Sequence, residues 1–201
     1  MKDRGLMVVI SSPSGGGKTT VCQGVLRRNK DYVFSVSITT RKRRHREIDG
    51  RDYYFLGQRQ FKAKVKKGEL AEWAYVHNHY YGTLKRFVDL AQKHKKTVIF
   101  DVDVQGGTTL KKRYPDAVLI FLLPPSLKEL KKRLTHREKG DSGEVERRME
   151  VALKEIRFVS KYDYVVVNRK IKDSIKAVEE IIDSERRKTV RIDLKNIIKK
   201  T

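Results

Sequence analysis

The sequence predicts an α/β protein: a parallel sheet flanked by helices, interrupted by a small strand-rich insertion and by a helical flap. Three observations predict it. Four apolar runs are continuous rather than alternating, as in parallel strands covered on both faces. The first run leads through a glycine-rich loop straight into a helical pattern. Helical periodicity and N-terminal capping spacings fill the intervals around the later runs.

In chain order, Leu6–Ile10 reads as a buried strand, followed by Ser11-Ser-Pro-Ser-Gly-Gly-Gly-Lys-Thr-Thr20 and a helix from Thr19 to Arg28. From about Val33 to Phe87 the chain is rich in Tyr and broken by Asp49-Gly50 and Lys67-Gly68, as expected of a small strand-rich insertion. Thr97–Asp103 is a second buried strand ending in acids, Ala117–Leu123 a third and Tyr164–Val167 a fourth. After the Pro124-Pro125 break, Ser126 and Glu129 have capping-box spacing and open a basic helix to about Glu138. Asp141 and Glu144 repeat that spacing and open a helix to about Tyr162. Ile171, Ile175, Val178 and Ile182 keep one face of a last helix apolar. The tail, Val190–Lys200, carries Ile192, Ile197 and Ile198 at a spacing that allows either docking or fraying. The expected organisation is a core of residues 1–34, 88–125 and 160–201, an insertion of residues 35–87 and a lid of residues 126–159.

A chain of 201 residues is one compact unit, long enough to bury a core without staples. Apolar residues make up 38% and charged residues 36%, but the apolar ones come in runs, which excludes general disorder. Ala117–Leu123 is too short to span a bilayer, and Leu6–Ile10 stops at Ser11 with no cleavage pattern, so no membrane association and a cytoplasmic location are expected. The single Cys22 excludes an intramolecular disulfide framework and reads as a small buried thiol. Forty-seven Lys and Arg against 25 Asp and Glu give +22, a charge that attracts polyanions without choosing among nucleic acid, anionic lipid and phosphate-rich small molecules. Oligomeric state is not legible.

Ser14-Gly-Gly-Gly-Lys-Thr19 ends as a phosphate-binding loop must. Glycines let several N–H groups point into one concavity, Lys18 brings charge to the β- and γ-phosphates, and Thr19 offers a hydroxyl to Mg²⁺. The helix beyond adds its positive end. The strict spacing is missed only at Ser12, where glycine is expected. Asp101, closing the second strand, stands where an acid can hold Mg²⁺ directly or through water, and Asp103 emerges on the same side if the strand continues.

Further blocks follow in order: Ser35-Val-Ser-Ile-Thr-Thr-Arg-Lys-Arg-Arg44, Glu47, Asp49-Gly50, Asp52-Tyr-Tyr-Phe55, Glu72-Trp73-Ala74, Tyr80-Tyr-Gly-Thr83 and Asp101-Val-Asp-Val-Gln-Gly106. Together with the phosphate loop they resemble the guanylate kinases, which phosphorylate GMP with ATP, from Leu6 to about Ile182. The resemblance implies a P-loop NTPase-type core with a nucleoside-monophosphate-binding insertion. It implies that Arg41, Arg44, Tyr53 and Tyr81 hold the GMP phosphate, and that Ser37, Glu72, Gly82, Thr83 and Asp103 belong to the guanine side. It implies ATP contacts from Ser14, Gly15, Gly16, Gly17, Lys18, Thr19 and Thr20, with Arg133, Arg137 and Asn168. Charge stabilisation of the transfer falls to Lys18, Arg41, Arg44, Arg137 and Arg148. Chemistry agrees with the base assignment. Guanine presents N1–H and N2–H₂ donors that carboxylates accept, whereas adenine presents an acceptor there.

Other readings stand beside these. Arg41-Lys-Arg-Arg44 could be a nucleic-acid patch, Asn168 a turn residue, and His77 and His79 rim residues rather than metal ligands. Trp73 is assigned to the sheet core, and Lys131, Lys132 and Arg147 to a solvated helix face. Arg43, Arg46 and Thr83 depart from the Pro, Gly and Ser usual in the family. The expected function is phosphoryl transfer from ATP to GMP and dGMP. The competing classes are a non-catalytic peptide-binding module, a nucleic-acid-binding protein and a kinase for another small phosphate ester.

Overall fold

A computed structural model describes residues 5–76, 78–137 and 140–192, the side chain of Arg137 excepted. Five parallel strands form the main sheet in the order β2-β7-β1-β8-β9: β1 (Met7–Ser11), β2 (Val33–Ser35), β7 (Val98–Asp101), β8 (Val118–Leu123) and β9 (Tyr164–Val167). Alternate residues of the continuous apolar runs face opposite sides. Met7, Val9, Val98, Phe100 and Leu119 pack on one side with Phe61 and Leu110. Val8, Ile10, Ile99 and Ile120 pack on the other with Val25, Val178 and Ile182. The second side is covered by α1 (Lys18–Arg28) and α7 (Ile171–Arg186), whose predicted stripe of Ile171, Ile175, Val178 and Ile182 faces the sheet.

A second sheet has the order β4-β3-β6-β5, with β3 (Ile38–Thr39), β4 (Tyr54–Phe55), β5 (Leu70–Val76) and β6 (His79–Leu84). The stretch read as an insertion opens on β2, a strand of the main sheet paired with β7. It also holds α2 (Gln58–Lys66) and runs into α3 (Lys85–Lys93), neither of which periodicity exposed. In α2 the apolar residues are Phe61, Ala63 and Val65 among Lys, Arg and Gln, and the helix starts because the Gln60 side chain accepts from the Gly57 N–H at 2.9 Å.

Of each capping box the N-cap half is present, while Glu129 and Glu144 turn to arginines of their own helices. The Ser126 hydroxyl accepts from the Glu129 N–H at 3.1 Å and opens α5 (Leu127–Arg137). Asp141 accepts from the Glu144 N–H at 3.1 Å and opens α6 (Ser142–Ile156), which tightens into a 3₁₀ turn over Arg157–Lys161. The second strand stops at Asp101 rather than running on to Asp103. Asp103 is instead the N-cap of α4 (Val104–Arg113), accepting from the Gly106 N–H at 2.7 Å. Gly106 and Gly107 hide this helix from a propensity reading, and the structure requires both. A Cβ at Gly106 would stand 2.8 Å from the Glu72 carboxylate, and one at Gly107 2.6 Å from the Tyr162 hydroxyl. Trp73 is a correction: it is 46% exposed, because β5 is the edge of the small sheet and turns that residue outward. In the tail, Val190 and Ile192 are described, with Val190 exposed, whereas Ile197 and Ile198 lie outside the described residues, as does His77.

Candidate active site

The carboxyl ends of β1 and β7 lie side by side, and the loop between β1 and α1 curls over them. Gly15 and Gly17 have φ of +81° and +89°, a region side chains rarely adopt. Asn168, fully buried at the end of β9, donates from Nδ2 to the Gly16 carbonyl at 2.8 Å and accepts from Ser174 at 2.9 Å. Both ends of its amide are therefore used inside the protein. Asn168 braces the phosphate loop in this way, and a Cβ at Gly17 would collide with it at 2.5 Å.

Lys18 lies between the loop and the strand ends. Its ammonium donates to the Val102 carbonyl at 2.7 Å and pairs with Asp101 at 2.8 Å. Burial alone would lower its pKa, but the charge and hydrogen bond of Asp101 outweigh burial and hold the ammonium protonated. The other oxygen of Asp101 accepts from the Thr19 hydroxyl at 3.3 Å. Thr19 and Asp101 thus offer two hard oxygen donors on one side of the loop, a set that suits Mg²⁺, which takes few protein ligands and keeps its waters.

Two connected clefts open from this point, of about 1100 and about 450 Å³. Both are bordered by Ser14, Thr19, Ser37, Tyr53, Tyr81 and Asp101. In the larger, the Arg41 guanidinium is gripped bidentately by Glu47 at 2.7 and 3.0 Å and lies over the Tyr53 and Phe55 rings at 5.4 and 5.8 Å. Glu47 also accepts from the Arg44 N–H at 2.8 Å. One carboxylate therefore holds the Arg41 guanidinium and the Arg44 backbone, and both residues line the larger cleft. Tyr53 packs edge-on against Tyr81 at 6.1 Å, and burial first, then the field of Asp101, push its phenol up to about 12, so it remains a donor.

The smaller cleft is lined by Gly15, Gly16, Gly17, Lys18, Thr20, Glu72, Gly82, Asp103 and Arg133. Glu72 is only 5% exposed. Burial, then the repulsion of Asp103, push its carboxyl up to about 7 against the opposing hydrogen bond from Thr83. Thr83 is fully buried and spends its hydroxyl on Glu72 at 2.5 Å. Its hydroxyl thus steadies the carboxylate that lines the cleft.

Helices α5 and α6 bring arginines to the clefts. Arg133 is held by Glu129 at 2.9 Å and by the Asn168 carbonyl at 3.2 Å. Arg148 is held by Glu144 at 2.8 Å and reaches the Ser14 hydroxyl at 3.4 Å. Lys131 and Lys132 are exposed, as expected. Arg147, read as solvated, lines the larger cleft while paired with Glu144 at 2.6 Å. The backbone of Arg137 ends α5, and its side chain lies outside the described residues.

Sequence reasoning missed Glu155. Its carboxylate accepts from the Ser14 N–H of the phosphate loop at 2.9 Å, and burial raises its pKa. The signal was available: Glu155 follows Arg148 by two helical turns, so both occupy one face of α6.

A family model described as guanylate kinase matches residues 4–185. A guanylate kinase of Myxococcus xanthus (strain DK1622) is 43% identical over 194 residues, covering 96% of this chain and 93% of that protein. One of Thermotoga maritima is 43% identical over 188 residues, covering 94% and 91%. The crystal structure of guanylate kinase from Anaplasma phagocytophilum superposes with a TM-score of 0.82 at 30% identity, covering 100% of this chain and 96% of that one.

Proposed function

The chain belongs to the guanylate kinase family, and we propose that the clefts described above transfer the γ-phosphoryl group of ATP to GMP, giving ADP and GDP. The observation that carries the assignment of roles is the buried Glu72 and the N-cap Asp103 beside one phosphate loop. Two carboxylates meet guanine's donor edge, while Arg41, Arg44, Tyr53 and Tyr81 supply donors to the GMP phosphate. That phosphate is already ionised at neutral pH, so no general base is required. Lys18 and the loop amides hold the triphosphate, and Arg133, Arg137 and Arg148 bring positive charge from the lid to the equatorial oxygens. Mg²⁺, held by Thr19 and Asp101, would neutralise charge on the β- and γ-phosphates. Closing the lid over the clefts excludes water, which would otherwise accept the phosphoryl group.

The corresponding division is a core of residues 1–34, 88–125 and 160–201, a GMP-binding insertion of residues 35–87 and a lid of residues 126–159. A location in the cytoplasm accords with this role, and no helix among the described residues is long and apolar enough to cross a membrane. The excess charge attracts polyanions beyond the two substrates. ADP formation measured in parallel with GMP, AMP, UMP and CMP tests the specificity. GMP and dGMP are expected to be the preferred acceptors, and a preference for AMP would remove Glu72 and Asp103 from the base pocket.

Glu155 has a predictable part in this cycle. Its carboxylate occupies an amide of the anion-binding loop, so a γ-phosphate approaching Ser14 meets a negative charge. Glu155→Gln keeps the acceptor and removes that charge. The KM for ATP is expected to fall about threefold to tenfold, equivalent to about 1 kcal/mol, with the KM for GMP unchanged. A rise in the KM for ATP would mean that the contact supports the loop in its ATP-bound form.

A further inference from the structure

We propose that the outer face of the small sheet is a docking platform for single-stranded nucleic acid. Along β5 the side chains alternate. Glu72 and Ala74 line the smaller cleft, whereas Trp73 and Tyr75 point away from it and are 46% and 54% exposed. Their rings are braced from behind. Tyr80, opposite Tyr75 on β6, lies 4.8 Å from Tyr75 and 5.9 Å from Trp73, and stacks on Phe61 of α2 at 5.2 Å. The strip is thus rigid, aromatic and open on one side, and neither Trp73 nor Tyr75 borders the nucleotide clefts.

The charge around it is mainly positive, and Glu69, the acid just before β5, is paired with Lys64 of α2 at 2.7 Å. Helix α2 packs on the same face through Phe61 and contains no acid. Arg59, Lys62 and Lys66 recur on it at i, i+3 and i+7, are exposed, and have no acidic partner among the described residues. At the sheet edge α4 packs on β5, and its Arg113 donates to the carbonyls of Leu70 and Ala71 at 3.3 and 2.7 Å. The nucleotide site does not account for a net charge of +22, since Arg41, Lys18 and Arg148 are each matched by a carboxylate. Cations can track phosphates, and rings can stack on any unpaired base. A duplex hides its base faces and a sulfated polysaccharide has none, so a single strand is the polyanion that uses both features.

Trp73 is the only tryptophan, so its emission reports on the platform directly. The probe is a labelled oligouridylate of about 20 nucleotides, titrated into the full chain saturated with GMP. Trp73 emission is expected to be quenched in step with binding, without displacement by GMP. Tyr75→Ala and Trp73→Ala are each expected to weaken binding about tenfold, with Trp73→Phe restoring it. Arg59→Glu/Lys62→Glu/Lys66→Glu should reduce the slope of log affinity against log salt by about two. Undiminished GMP phosphorylation by all these variants is the expected sign that they fold. The proposal is overturned if Trp73 is unquenched, if GMP displaces the strand, or if removing the rings leaves affinity unchanged. It is also overturned if heparin or a duplex of equal length binds as tightly as the single strand. Tighter uptake by phosphatidylserine vesicles, with Trp73 emission shifted to the blue, would replace it with a lipid surface.

Discussion

Lys18→Ala is expected to lower turnover of GMP about 10²–10³-fold or more, the cost of removing one preorganised donor from a developing phosphoryl charge in a water-poor site. The structure adds a second consequence. Lys18 is the partner of Asp101 at 2.8 Å, and both side chains are largely buried. Its loss leaves a carboxylate facing only the Thr19 hydroxyl and what water reaches it. Stability should therefore fall as well, by less than the about 3–5 kcal/mol of a fully buried broken pair. Lys18→Ala/Asp101→Asn separates the two effects: its Tm is expected to recover while turnover stays lost. Recovery of GDP formation in that double variant, or undiminished GDP formation in Lys18→Ala, would remove Lys18 from the transfer chemistry.

Glu72→Gln is expected to reduce kcat/KM for GMP about 10³-fold or more while changing the KM for ATP little. The amide turns a donor toward guanine's own donors, and a site built around a specific hydrogen bond rejects a mismatched partner strongly. The pH dependence distinguishes this from simple damage. Burial pushes the carboxyl up to about 7, and only its ionised form accepts from guanine's N1–H and N2–H₂ with both oxygens, the protonated form turning an O–H toward one of those donors. The KM for GMP should therefore fall as pH rises from about 6 to about 8, and this trend should vanish in Glu72→Gln. Stability runs the other way. Between the ordinary carboxyl value near 4.5 and about 7, the folded protein holds a proton that the unfolded chain has released, so stability falls as pH rises through that window. The loss is of order 3 kcal/mol, and Glu72→Gln escapes it. A variant that melts higher at alkaline pH yet barely uses GMP is the expected outcome. Equal loss of GMP and ATP use would mean that Glu72 serves the fold.

The phosphate loop, the N-caps Ser126 and Asp141 and the apolar stripe of α7 were legible because each is written in neighbouring residues. A glycine run between a strand and a helix, or Ser126 three residues before Glu129, has few structural meanings. Helices α2 and α4 were not, since Phe61, Ala63 and Val65 of the first alternate instead of recurring at helical spacing, and the second carries two glycines in its first turn. Those glycines make sense only once Glu72 and Tyr162 are seen against them. Within the site, the arginines, tyrosines and acids could be named from their order in the chain. Their state could not. Glu47 gripping Arg41 within its own loop, and Asp103 capping a helix rather than ending a strand, depend on how the backbone folds there and not on residue order.

By itself the sequence determined the chemistry on offer: a glycine loop with its lysine, the acids Glu72 and Asp103, helices rich in arginine, and a surplus of positive charge. Only the tertiary structure decided how each group is spent. It buried Asn168 beneath the loop and gave Thr83 to Glu72. It brought Glu155 across from α6 to Ser14, and turned Trp73 toward solvent. The physical reason is common to all four. A residue's type sets which hydrogen bonds and charges it can offer, but burial and partners come from segments far away in the chain, and they determine what is left to meet a ligand.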